Sequence, residues 1–145
     1  SPVVLYGPGL GPGAQKALKA LDGKAAFIGL DGAANAAGAA AEGVGAWNGL
    51  QAVDALYVLA GDDPSEPPAL PKAGFLAVQS AYRSPLTDKA DVVLPSPTWV
   101  ERTGHLTSLD GKVCAIGTVL AAPAGVPAEW QPLVSLAEQL GQPVR

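Results

Sequence analysis

The strongest constraint on the fold is a set of short apolar runs that do not alternate with polar residues. Val3 to Tyr6, Ala25 to Leu30, Ala55 to Ala60, Phe75 to Gln79 and Val92 to Leu94 are the clearest of them. A strand with one face in water alternates apolar and polar residues, whereas a strand covered on both faces does not, and parallel sheets are built from the second kind. Between the runs lie turn formers and helix formers. Gly7 to Gly13 is a glycine and proline turn, Ala14 to Leu21 carries Leu18 and Leu21 at helical spacing, and Ala33 to Glu42 is rich in alanine.

Further along, Ser84-Pro85 has the form of an N-cap followed by proline at the first helical position. Val113 to Ile116 is a further extended stretch. From Pro127 a last helix is expected, its apolar stripe formed by Trp130, Leu133, Val134, Ala137 and Leu140 and its end set by Gly141 and Pro143. Strands of this kind, separated by helical segments, join through right-handed crossovers. The expected fold is α/β, a Rossmann-like three-layer domain with a mostly parallel sheet, single over residues 1–145.

Composition narrows the function. Hydrophobic residues make up 48% of 145 and charged residues 15%, enough for a packed interior. No apolar run approaches the roughly 20 residues that span a bilayer. Nine Lys and Arg against thirteen Asp and Glu give a net charge of −4, with no basic stripe for nucleic acid. Cys114 is the single cysteine, so no intrachain disulfide, CxxC pair or cysteine-ligated cluster can form within the chain. A chain that starts at Ser1 and contains no Met is expected to be processed or part of a longer protein.

Residue types that could carry chemistry are few. The Gly7 to Gly13 loop followed by Asp31 lies where a dinucleotide-binding domain holds pyrophosphate and ribose, but Pro12 occupies the third glycine position. His105, Asp110 and Cys114 include a nucleophile and a base by type alone; the plain reading makes Cys114 a small buried residue and places His105 in a loop. Asp62 and Asp63, before Pro64 at the carboxyl end of a strand, stand where ligands approach open α/β sheets, and acids there ordinarily cap a helix. No catalytic residue and no metal site is predicted.

The stretch from Ala90 to Cys114 resembles a segment of molybdopterin oxidoreductases that reads ADVVLP and then E-x-x-G-T-x-x-N-x-E-G-R-x-Q. In the same order, Ala34 to Ala39 resembles the family's A-N-x-x-G-A, Gly61 to Pro64 its G-E-[DN]-P, and Glu129-Trp130 the start of its late helix. In members that hold a molybdenum cofactor, the stretches matching Gly61, Asp62, Asp63, Pro64 and Gln79 lie near a pterin guanine dinucleotide. Here Ser108, Asp110, Lys112 and Cys114 replace the family's Asn, Glu, Arg and Gln, and the interval from Gly38 to Gly61 is short.

Drift and shortening together resemble the G-type (75-kDa) subunits of NADH-quinone oxidoreductases, whose carboxyl-terminal part keeps the fold without molybdenum. That resemblance implies a non-catalytic structural domain with no cofactor of its own. Iron–sulfur clusters are expected elsewhere in the parent subunit. The expected partners are the rest of that subunit and other peripheral-arm subunits, on the cytoplasmic side of the inner membrane. The alternative implied by the same family is a pterin guanine dinucleotide-binding domain of a molybdenum oxidoreductase such as a formate dehydrogenase or nitrate reductase.

Overall fold

A computed structural model describes residues 2–6, 12–21, 24–29, 35–44, 52–63, 70–108 and 110–142. The chain divides into two compact units, residues 1–45 with 105–114, and residues 46–104 with 115–145.

In the first unit, strand β1 (Val3–Tyr6) pairs in parallel with β2 (Ala26–Gly29), Val3 opposite Ala26 and Tyr6 opposite Gly29. Helix α1 (Pro12–Ala20) joins them. Pro12, which breaks the dinucleotide fingerprint, is the first residue of α1, where its fixed φ suits the helix and its missing N–H costs nothing. Helix α2 (Ala36–Ala41) follows Asn35, which adopts a left-handed φ of 62°. The Asn35 Oδ1 accepts the backbone N–H of Thr107 at 2.8 Å.

The second unit is organised on three parallel strands, β3 (Val53–Gly61), β4 (Ala73–Ser80) and β5 (Val92–Pro95), in that order. Strand β4 is central. Val78, Gln79 and Pro97 are its neighbourhood's fully buried side chains, so the core sits at the carboxyl half of the sheet. Between β4 and β5, Ser84 and Thr87 cap one another, the Ser84 N–H donating to Thr87 Oγ1 at 2.9 Å and the Thr87 N–H to Ser84 Oγ at 3.3 Å. Ser84 Oγ thus does accept an N–H of this turn, but the 3-10 turn (Thr87–Lys89) starts after Leu86 and not at Pro85 as the sequence suggests. Asp91 then fastens the start of β5 to β4, its Oδ2 accepting the Leu76 N–H at 2.7 Å.

Beyond β5 come a 3-10 turn (Trp99–Glu101), the paired strands β6 (Gly104–Thr107) and β7 (Val113–Ile116), and helix α3 (Gln131–Gln139). Strand β6 lies where the sequence shows only glycine punctuation. Helix α3 begins four residues later than Pro127 suggests, because residues 128–130 form a turn in which the Ala128 N–H donates to the Gln131 side chain at 2.7 Å. It ends as expected, with Gly141 at φ 71°. The parallel pairings with intervening helices meet the α/β expectation.

Among the described residues no helix is long and apolar enough to cross a membrane. Many apolar side chains stay open to solvent, among them Phe75, Val92 and Val93 on the central sheet and Leu136 and Leu140 on α3.

Candidate functional site at the carboxyl end of the central sheet

Strand β3 ends in a register shift between Leu59 and Gly61, and Gly61 turns the chain at φ 58°. A Cβ on Gly61 would lie 2.8 Å from the tip of the Glu129 side chain, which could shift aside, so it is the backbone angle that calls for glycine. The turn aims Asp62 away from its own strand. Its Oδ2 accepts the Trp99 N–H at 2.7 Å, and its Oδ1 meets the Arg102 guanidinium at 3.3 Å. Asp62 is therefore a cap, as acids at such places usually are, but of the Trp99–Glu101 turn 37 residues away.

That turn is also capped from within. Thr98 and Glu101 form a capping box, with the Thr98 N–H donating to Glu101 Oε2 at 2.8 Å. Arg102 follows it and bridges two carboxylates, Asp62 and, at 2.8 Å, Glu129. These three side chains are 17–29% exposed, so the pairs are largely shielded from water.

Gln79 lies beneath this cluster and is fully buried. Its Oε1 accepts the Tyr57 hydroxyl at 2.6 Å and its Nε2 donates to the Glu129 carbonyl at 3.0 Å. Burial raises the Tyr57 hydroxyl above its usual pKa of 10.0. Glu129 thus ties the segment before α3 to the sheet twice, by side chain to Arg102 and by backbone to Gln79.

Of the residues matching the cofactor-proximal stretches, the structure brings together Gly61, Asp62 and Gln79; Asp63 follows them in the turn, its N–H donating to Ala60 O at 3.2 Å, and Pro64 lies outside the described residues. The loop at 7–11 and Asp31 also lie outside them. A phosphate-bearing group fits this corner poorly, since Gln79 is engaged at both ends of its amide and the Arg102 guanidinium is already paired with the carboxylates of Asp62 and Glu129.

Arg102 and Tyr57 carry no sequence signal on their own, and Glu129 is marked only as the start of the late helix. The T-x-x-E spacing of Thr98 and Glu101 does, and it marks the capped turn that presents Arg102.

The other type-based grouping does not form a site. His105 and Cys114 are both exposed, on β6 and β7, so Cys114 is not the buried residue the sequence suggests and His105 is not in a loop. Asp110 is held by Ser108 and Lys112, which lower its pKa. No group of three potential metal ligands occurs among the described residues.

The curated relatives bear out the resemblance to molybdopterin oxidoreductases. The chain is 31% identical over 98 residues to F420-dependent formate dehydrogenase 1 subunit alpha of Methanococcus maripaludis, 62% of this chain and 14% of that protein. It is 36% identical over 88 residues to NADH-quinone oxidoreductase subunit 3 of Thermus thermophilus, 60% of this chain and 11% of that protein. With the assimilatory nitrate reductase of Haloferax mediterranei it shares 42% over 52 residues, 36% of this chain and 7% of the relative. The chain therefore spans only a small part of the relatives it matches. No protein-family model matches it.

Proposed function

We propose that this chain is a non-catalytic structural α/β domain of a G-type subunit of an NADH-quinone oxidoreductase. In that role it supports electron transfer from NADH to quinone in the parent complex without holding a cofactor. The observation that carries the reading is the mutual satisfaction of Asp62, Gln79, Arg102 and Glu129. Asp62 and Gln79, which match stretches that elsewhere in the family lie near a dinucleotide, are here bonded to Trp99, Arg102, Tyr57 and Glu129, and the net charge of the cluster disfavours an anion. The similarity to the Thermus subunit supports the choice of parent.

On this reading residues 1–145 act as one domain, and the iron–sulfur clusters reside elsewhere in the subunit. Its partners are the remaining domains and other peripheral-arm subunits, on the cytoplasmic side of the inner membrane. The apolar side chains left open on β5 and α3 are surface for those neighbours to cover.

A second reading, a pterin guanine dinucleotide domain of a molybdenum oxidoreductase, draws support from the 98-residue similarity to the formate dehydrogenase subunit. Gly61, Asp62, Asp63, Pro64 and Gln79 would then hold the cofactor.

Thermal-shift titration of the chain with NADH, GTP and a pterin dinucleotide separates the two. A ligand at 100 times its dissociation constant adds about 2.7 kcal/mol to stability. The structural domain is expected to show no shift with any of them, and a saturable shift with GTP or the pterin dinucleotide would overturn it in favour of the second reading.

A further inference from the structure

Beside Arg102 a cavity of about 370 Å³ opens to solvent between the Trp99–Glu101 turn and the start of α3. Its walls include Leu59, Val126 and Leu133, and Trp130, 61% exposed, lines it as well. Among the described residues its charged lining is Glu101, Glu129 and Arg102, and Asp62 further offsets the guanidinium from outside the cavity. The cluster as a whole therefore carries three carboxylates and one cation.

We infer that this cavity receives a basic side chain, Lys or Arg, from a neighbouring polypeptide. Charge complementarity selects the occupant. An anion would be repelled by the excess carboxylates, and a purely apolar side chain would cover them without compensating their lost hydration. A long basic side chain satisfies both parts of the site, its methylene stem along Leu59, Val126 and Leu133 and its cationic head toward the carboxylates and the Trp130 ring. The inference deepens the structural-domain reading by naming a point at which a neighbour is held.

The test is a titration of the 145-residue chain with acetyl-Leu-Arg-Leu-amide and, in parallel, acetyl-Leu-Gln-Leu-amide, followed by two-dimensional amide and indole NMR. The arginine peptide is expected to bind about fivefold more tightly than the glutamine peptide, with the Trp130 indole among the shifted signals. Glu101→Gln keeps an acceptor for the Thr98 N–H while removing a charge, and is expected to shrink that preference; wild-type titrations alone already decide the matter if the variant folds poorly. Equal binding of the two peptides, or shifts that avoid Trp130 and residues 126–133, would overturn the inference. Neither result depends on the thermal-shift outcome with the pterin dinucleotide, so the docking site and the structural-domain reading fail separately.

Discussion

Replacing Gln79 by Met tests whether its amide serves the fold. Methionine keeps nearly the same length and volume, so little cavity is created and the loss is confined to two hydrogen bonds. The 2.6 Å bond from Tyr57 and the 3.0 Å bond to the Glu129 carbonyl both disappear. A buried group left without its partner costs about 1–3 kcal/mol. Tyr57 is only half-buried and can recover water, which puts its loss near the bottom of that range. Burying a thioether in place of an amide returns part of the total. The net expectation is a destabilisation of about 2 kcal/mol.

Urea unfolding followed by the fluorescence of Trp99 and Trp130, which lie in the same unit as Gln79, measures it without requiring both units to unfold together. The midpoint should fall with the slope unchanged. Tyr57→Phe removes the same hydroxyl from the other side, so the double variant should be less unstable than the sum of the singles by about 1 kcal/mol. A Gln79→Met change within about 0.5 kcal/mol of the parent, or strict additivity with Tyr57→Phe, would refute the view that Gln79 is held by these partners.

Arg102→Met leaves Asp62 and Glu129 facing each other without their cation; because all three side chains are partly exposed, the expected loss is about 1–2 kcal/mol in urea unfolding, smaller when measured in 1 M salt. The Ser96 hydroxyl is buried with no hydrogen-bond partner among the described residues, so Ser96→Ala should be neutral or stabilising by up to about 1 kcal/mol, and a marked destabilisation would show that the hydroxyl is bonded in solution. Tyr57 makes stability fall at high pH. Its raised pKa keeps the folded state protonated where the unfolded state has begun to ionise, so the contribution is complete below about pH 10 and is lost as pH rises through the folded value. Alkaline unfolding curves should therefore be shallower for Tyr57→Phe than for the parent.

The strands were the legible part of the fold. Five apolar runs mark β1 to β5 because parallel strands leave an apolar trace in the sequence that needs no partner to be seen, even where, as at Val92 and Val93, the strand is open to solvent. Strand β6 left none, since Gly104 to Thr107 is short, mixed in character and defined by pairing with β7. The exposure of Cys114 was hidden for a related reason: residue type sets a preference for burial, while cover is supplied by whatever packs above. In the site, Asp62 could be read as a cap from its position, but not as a cap for Trp99. That bond exists only because the Gly61 turn brings the end of β3 to a segment 37 residues away. Arg102 and Glu129 are 27 residues apart, and neither is informative until the other is placed.

On the structural-domain reading, the same corner accounts for how a motif resembling the family's persists without a ligand to retain it. Gly61 is favoured by a positive φ, Asp62 by the N–H of Trp99, and Gln79 by Tyr57 and the Glu129 carbonyl. Each of these demands is local and structural, and each would hold the residue in place whether or not anything binds at the carboxyl end of the sheet. Likeness at Gly61 to Asp62 is thus weak support for a cofactor, whereas a change that frees Gln79 or Arg102 from its internal partners would be strong support. What separates a structural domain from a dinucleotide-binding one in this fold is the partner each polar group has, and here Asp62, Gln79, Arg102 and Glu129 have one another.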